Sequence, residues 1–129
     1  MAGMTFAVET AVHGPVVVVK LIGWLTEENR DELEEQFRTS VDRGCRRFVV
    51  DLSSTHFLDR TGLAVFAFYQ HRTKAKGGCL ILASPSGSAR QMILAGSLHK
   101  LLPVCETLAE ALELAGRKTT SGRWKPVTV

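Results

Sequence analysis

The spacing of hydrophobic positions changes several times along the chain, and each change predicts an element. Residues Thr5 to Val12 alternate apolar and polar as a half-buried strand does, and "HGP" at His13 to Pro15 is a turn signal. Val16 to Ile22 is β-branched and almost continuous, which predicts a strand covered on both faces. "TEENRDELEEQFRTSVDRG" then switches to helical spacing. Thr26 suits the N-cap, acids crowd the first turns, Gly44 closes the segment, and Leu33, Phe37, Ser40 and Val41 form one narrow inner stripe. "RRFVVDLSS" predicts a third strand ending near Asp51.

A second helix follows and runs to about Lys76. It is apolar almost all round from Leu63 to Tyr69, which places it centrally. "GGCLILAS" predicts a fourth strand, and "SPSGSARQMILAG" a helix entered through Ser-Pro-Ser and closed by Gly96. "LLPV" predicts a short fifth strand. "ETLAEALELAG" predicts a last helix with Leu108, Ala111, Leu112 and Ala115 inward and Gly116 as its stop. A hairpin followed by alternating helices and strands makes residues 1–116 a single α/β domain on a mixed, mostly parallel sheet of about five strands. In such sheets the loops after strand C-termini gather functional residues. The spacing makes the segment from Asp51 to Gly62 the longest of these.

Composition narrows the class. With 129 residues and 45% hydrophobic content, the chain suits one domain with a full core. Its longest apolar run is broken by Lys20 and is too short to span a bilayer, and "MAGMTFAVE" lacks the basic flank and apolar core of a secretion signal. Cys45, Cys79 and Cys105 are odd in number and widely spaced, which points to a reducing cytoplasm and to packing as small hydrophobes. With no CxxC or HxxxH pair, neither a metal nor another cofactor is expected. The net charge of +3 is misleading. Arg117, Lys118, Arg123 and Lys125 fall in an acid-free tail, residues 117–129, expected to be flexible; without them 12 Lys and Arg face 13 Asp and Glu. A nucleic-acid partner is not expected of such a body.

Catalytic chemistry finds little support. Ser53, Ser54, His56 and Asp59 are close in sequence, but there is no G-x-S-x-G elbow and no G-x-x-x-x-G-K-[ST] loop. His13, His71 and His99 are each isolated. A phospho-aspartate receiver would use Asp51 at the third strand's end. It also needs an acidic pair for Mg²⁺ after the first strand and a lysine after the fifth, and "TFAVETAVHG" and "LLPVCE" supply neither. What remains is "FLDRTGLAVF", residues 57–66. Asp59 suits the N-cap of the second helix, with Thr61 in its first turn and Gly62 allowing close packing. A hydroxyl in that position is also open to a kinase, and a phosphoryl group there would add about −1.5 to −2 charge. Both readings hold together.

"VVDLSSTHFLDRTGLAVF" resembles the signature of bacterial anti-sigma factor antagonists of the STAS domain family: an apolar strand, D-L-S, then D-S-[ST]-G-L. "GWLTEENRDELEEQF" is similar to that family's G-x-L-T segment and first helix. "AKGGCLILASPSGSARQMILAGSLHKLLPVCETLAEAL" follows its closing strand-helix-strand-helix pattern, so the resemblance covers about Thr5 to Ala115. It implies a mixed sheet with the first strand antiparallel and helices mainly on one face. It implies that Thr61 is phosphorylated by a partner that is both serine/threonine kinase and anti-sigma factor, and restored by a phosphatase. The unphosphorylated form then binds the anti-sigma factor and frees the sigma factor for transcription. Asp59, Arg60, Gly62 and Leu63 become contact surface around Thr61, with Ser53 and Ser54 on the preceding loop as further candidates. The chain itself is expected to be neither an enzyme nor a membrane protein. Arg60 stands where the family often has serine, placed to steer an acidic partner or to pair with Asp59 or a phosphoryl group. The family's later Gly-Leu appears as "AGSL", with Ser97 after a displaced Gly96. A constitutive scaffold of the same fold, a small-ligand or nucleotide sensor, and an enzyme dependent on His56 are the alternatives.

Overall fold

The computed structural model describes residues 5–117, so nearly all of the tail expected at 117–129 lies outside the described residues. Five strands form one sheet in sequence order: β1 (Phe6–His13), β2 (Val16–Leu25), β3 (Arg47–Leu58), β4 (Cys79–Ala83) and β5 (Val104–Cys105). β1 pairs antiparallel with β2, while β2 to β5 are parallel. The helices are α1 (Arg30–Asp42), α2 (Arg60–Ala75), α3 (Gly87–Ala95) and α4 (Leu108–Gly116), with short 3₁₀ turns at Glu27–Asn29 and Leu98–Lys100.

The unbroken "VVVV" of β2 follows from helices lying on both sides of the sheet. Val17, Val19 and Leu21 point with Phe48, Val50 and Leu80 into a core closed by α1, α2 and α3. Val16 and Val18 point with Val49 and Ile81 the other way, under α4 alone. Three helices therefore share one face, as expected. α4 buries Ala111, Leu114 and Ala115 and leaves Leu108 and Leu112 at the edge, so Leu114 is an inward position that the helical spacing missed. α1 is attached mainly through Leu33 and Phe37, its two fully buried residues. Thr26 caps the 3₁₀ turn ahead of α1 in a reciprocal box with Asn29.

The third strand differs from expectation. β3 does not stop near Asp51 but continues to Leu58, and Asp59 alone separates it from α2. Asp51 is thus an interior strand residue, and Ser53 and Ser54 lie on the strand rather than on a loop. The cause is visible in the register. Lys20 faces Asp51 but Ile22 faces Ser54, and Gly23 faces Thr55 but Trp24 faces Phe57, so β3 carries one extra residue in each interval. Two bulges of this kind erase the period-2 signal while keeping the backbone paired. Local polar groups secure them: Ser53 N donates to Asp51 Oδ1 at 3.0 Å, and Thr55 Oγ1 donates to the Leu21 carbonyl at 2.8 Å.

β5 has only two residues, so among the described residues the start of β4 has no strand beside it on that edge. Gln70 of α2 takes that place, accepting from Leu80 N at 3.2 Å and donating to the Leu101 carbonyl at 3.3 Å. Gln70→Ala orphans a buried strand amide and is expected to cost about 2 kcal/mol. Urea unfolding should show this as a lower midpoint with an unchanged slope.

Candidate functional site

α2 begins where β2 and β3 end. Asp59 N donates to the Leu25 carbonyl at 3.2 Å, which ties the cap residue to the tip of β2. The extended backbone of Asp59 lets its Oδ1 accept from Thr61 N at 2.9 Å, and its carbonyl receives Gly62 N at 3.2 Å. The capping role expected of Asp59 is therefore the one it has. Arg60 is exposed and makes no ion pair with Asp59, whose carboxylate is turned to the helix amides. Thr61 is half-buried, and among the described residues its hydroxyl takes part in no hydrogen bond. The backbone of this residue is fixed while its Oγ1 is free.

Gly62 is buried because the helix must come down onto the strand ends. A Cβ there would lie against Leu58 and 2.7 Å from Leu25 Cδ2, both core residues. Gly62→Ala forces those side chains or the helix to shift and is expected to destabilise by about 2 kcal/mol, read as a lower melting temperature. Leu63 lies on the α3 side, where its Cδ1 would be 2.6 Å from a Cβ at Gly96. The glycine of "AGSL" is thus the seat of Leu63, and the departure from the family pattern moves to Ser97. That residue holds a left-handed backbone with φ of 59°. Ser97→Gly relieves this strain and is expected to stabilise by about 0.5–1 kcal/mol in thermal melts.

The ends of β2 and β3 have features the linear pattern did not single out. Trp24 and Phe57, paired across β2 and β3, stack with centroids 5.1 Å apart at 26°. They precede Leu25 and Leu58, which meet Gly62 of α2, so strand alternation turns the two rings to the opposite face of the sheet. The signal was present in the "GWL" and "HFL" endings, but their proximity depends on the second bulge. Beyond Asp51, β3 has no β4 neighbour. Ser88 at the start of α3 reaches across to donate to the His56 carbonyl at 2.7 Å. Structure brings Asp59, Arg60, Thr61, Gly62 and Leu63 together at one helix end, whereas Ser53 and Ser54 lie further back along β3.

Other candidate chemistry stays dispersed. No group of three or more His, Cys, Asp or Glu side chains able to hold a metal occurs among the described residues. Burial pushes the Cys79 thiol up to about 11, and burial, with Glu110 and Glu106 nearby, raises that of Cys105. Both stay protonated at neutral pH and pack as small apolar groups. Asp51 is 6% exposed and bonds to its own bulge rather than joining a carboxylate cluster. No helix among the described residues is long and apolar enough to cross a membrane.

The STAS domain family model matches residues 7–111. The chain is similar to the anti-sigma F factor antagonist of Paenibacillus polymyxa, with 24% identity over 110 residues, covering 84% of this chain and 94% of that one. Among solved structures it is similar to an anti-sigma factor antagonist from Mycobacterium paratuberculosis, with a TM-score of 0.80, 24% identity and coverage of 88% and 96%. It is also similar to the antagonist SpoIIAA in its unphosphorylated form, with a TM-score of 0.73, 21% identity and coverage of 89% and 100%. The phosphorylated form of Bacillus SpoIIAA gives a TM-score of 0.65 at 22% identity, covering 84% and 97%. At these identities the structural likenesses establish the fold, a mixed five-stranded sheet with four helices. Together with the family match along most of its length, they carry the conclusion that this chain belongs to the STAS domain family.

Proposed function

We propose that the chain is a cytoplasmic anti-sigma factor antagonist that binds an anti-sigma factor with serine/threonine kinase activity and is switched off by phosphorylation at Thr61. The observation that carries this reading is the hydroxyl of half-buried Thr61, which among the described residues takes part in no hydrogen bond, on a fixed backbone in the first turn of α2 beside exposed Arg60. Its relatives are named anti-sigma factor antagonists, and one of them, SpoIIAA, has structures in unphosphorylated and phosphorylated forms. In the transfer, Thr61 Oγ1 attacks the γ-phosphorus of ATP held with Mg²⁺ by the partner. The new O–P bond forms as the bond to the ADP oxygen breaks, and the hydroxyl proton passes to a base of the kinase. This chain supplies only the acceptor, so no catalytic residue or cofactor of its own is needed. A phosphatase reverses the modification by hydrolysis.

Placement explains why such a switch needs no refolding. The N-terminus of a helix favours negative charge, so a phosphoryl group on Thr61 leaves α2 intact. Its consequence falls on whatever packs over it. Asp59, Arg60 and Leu63 flank Thr61 in the surface in contact, with sigma-factor-dependent transcription as the output; Gly62, expected in that surface, is buried and instead seats the helix on the strand ends. The test is to capture the partner from the native host with Thr61→Ala as bait, then offer it the wild-type chain and ATP. Phosphate on Thr61 by fragment mass spectrometry, absent from Thr61→Ala, supports the assignment. Phosphate on Ser53 or Ser54 instead, or none with an active partner, overturns it.

A further inference from the structure

Charge along this chain is divided into two blocks that the overall balance conceals. Residues 27–42 hold seven acids and two arginines, whereas residues 60–105 hold six Lys and Arg and no acid. Folding sets the blocks side by side, because α1 and α2 lie on the same face of the sheet. Each follows a strand of one parallel pair, so the two helices run in the same direction. Glu28, Asp31, Glu32, Glu35 and Asp42 are exposed on the acidic side, and Arg60, Arg72, Lys74 and Lys100 on the basic side.

An apolar group stands at the seam. Between the helices runs a groove of about 410 Å³ with Tyr69 at its floor, Arg38, Val41 and Asp42 on one wall, and Phe68 and Arg72 on the other. Phe68 is 50% exposed, with the Arg72 guanidinium 5.5 Å from its ring centroid. It lies seven residues beyond Thr61, about 10 Å along the same side of α2.

We infer that this face pairs with the same face of a second copy of the chain, as a two-fold dimer whose axis runs along the groove between α1 and α2. Rotation about that axis lays the acidic α1 of each copy over the basic α2 of the other and brings the two Phe68 rings together at the seam. The contact is isologous and closes at two copies. Another occupant matches only half of the face. A nucleic acid or an anionic membrane is attracted by α2 and repelled by α1, and a uniformly acidic protein meets the same conflict. A surface with the same two blocks in the opposite order satisfies both, and the chain itself presents one. The pairing also shades the side of α2 that carries Thr61, which sets self-association in competition with docking there.

Sedimentation equilibrium of the full chain tests this. A dimer is expected at an ionic strength of about 0.01 M, where charges act over ~30 Å, and a monomer at about 1 M, where they act over ~3 Å. The decisive pair is Arg72→Glu with Lys74→Glu in one protein and Glu35→Lys with Asp42→Lys in another. Each protein alone is expected to be monomeric at low salt, and an equal mixture is expected to dimerise, because each then offers what the other lacks. Phe68→Ser should weaken the wild-type dimer at least tenfold. All these positions are exposed or at the rim, and unchanged melting curves verify that the variants fold. The inference is overturned by a wild-type chain that stays monomeric at low salt, by a dimer indifferent to both charge reversals, or by a mixture that does not associate. Duplex DNA and phosphatidylserine vesicles are offered in parallel, and binding to either without self-association also overturns it.

Discussion

Phe37→Ala is expected to remove about 4 kcal/mol of stability, the largest loss from any single change considered for this chain. Phe37 is fully buried, stacks on Tyr69 with centroids 4.7 Å apart at 16°, and meets Phe48 edge-on at 5.4 Å. Truncation removes the transfer free energy of the ring, leaves a cavity, and forfeits two aromatic contacts. The position of the loss makes it worse. With Leu33 as its only other fully buried residue, α1 has little else to hold it against β2 and α2. Its i,i+3 and i,i+4 ion pairs, Arg38 with Glu35 and Arg30 with Glu34, lie at the surface and contribute only tenths of a kcal/mol. In urea the midpoint should fall sharply, and on heating the melting temperature should drop by roughly 15 °C. A loss under 1 kcal/mol would mean that α1 is not held by this cluster.

That helix also shows what was legible in the sequence. Leu33 and Phe37 recur at helical spacing between charged residues, and the structure buries those two. The "VVVV" of β2 likewise announced a strand covered on both sides, although only the packing of α4 shows which residues face which helix. The cap at Asp59, the helix after it and the glycine contacts of "DRTGL" are local, because a side chain need reach only its own first turn or the strand end beneath it. The extension of β3 was not legible for the opposite reason. Ser53, Ser54, Thr55 and His56 have the composition of a loop, and the two bulges that pair them with β2 depend on a register with residues 31 to 33 positions earlier, as in Lys20↔Asp51 and Trp24↔Phe57. The stacking of Trp24 on Phe57 depends on the same register. Gln70 gave no sign of its part either, since a strand amide needs a side-chain partner only where β5 proves too short. The division of charge was open to counting but not to interpretation. The blocks become one surface only when β2 and β3 place α1 beside α2.

Thr61→Glu is expected to weaken binding of the anti-sigma factor about a hundredfold, with Thr61→Ala remaining within a few-fold of the wild type. The asymmetry follows from what each change does at the start of α2. Alanine removes a hydroxyl with no internal hydrogen bond and keeps the backbone amide that Asp59 caps. Glutamate adds a negative charge that the helix N-terminus accepts, so melting curves of the free protein should move by less than about 0.5 kcal/mol. Docking must desolvate that charge or leave it facing another surface. A hundredfold loss corresponds to only about 2.7 kcal/mol, which an unpaired charge buried at an interface readily costs. Arg60 is an exposed cation adjacent to Thr61 and not paired with Asp59, so it should moderate the effect, and Arg60→Ala combined with Thr61→Glu should weaken binding further. Titration calorimetry with the purified partner separates the possibilities. Equal loss in Thr61→Ala and Thr61→Glu would make the hydroxyl itself the contact. Equal retention would reduce Thr61 to a helix-cap position and leave the fold a constitutive scaffold. A selective loss in the glutamate variant is the outcome that a charge-operated switch requires, because the two free proteins differ at the interface only in that charge and the length of the side chain that carries it.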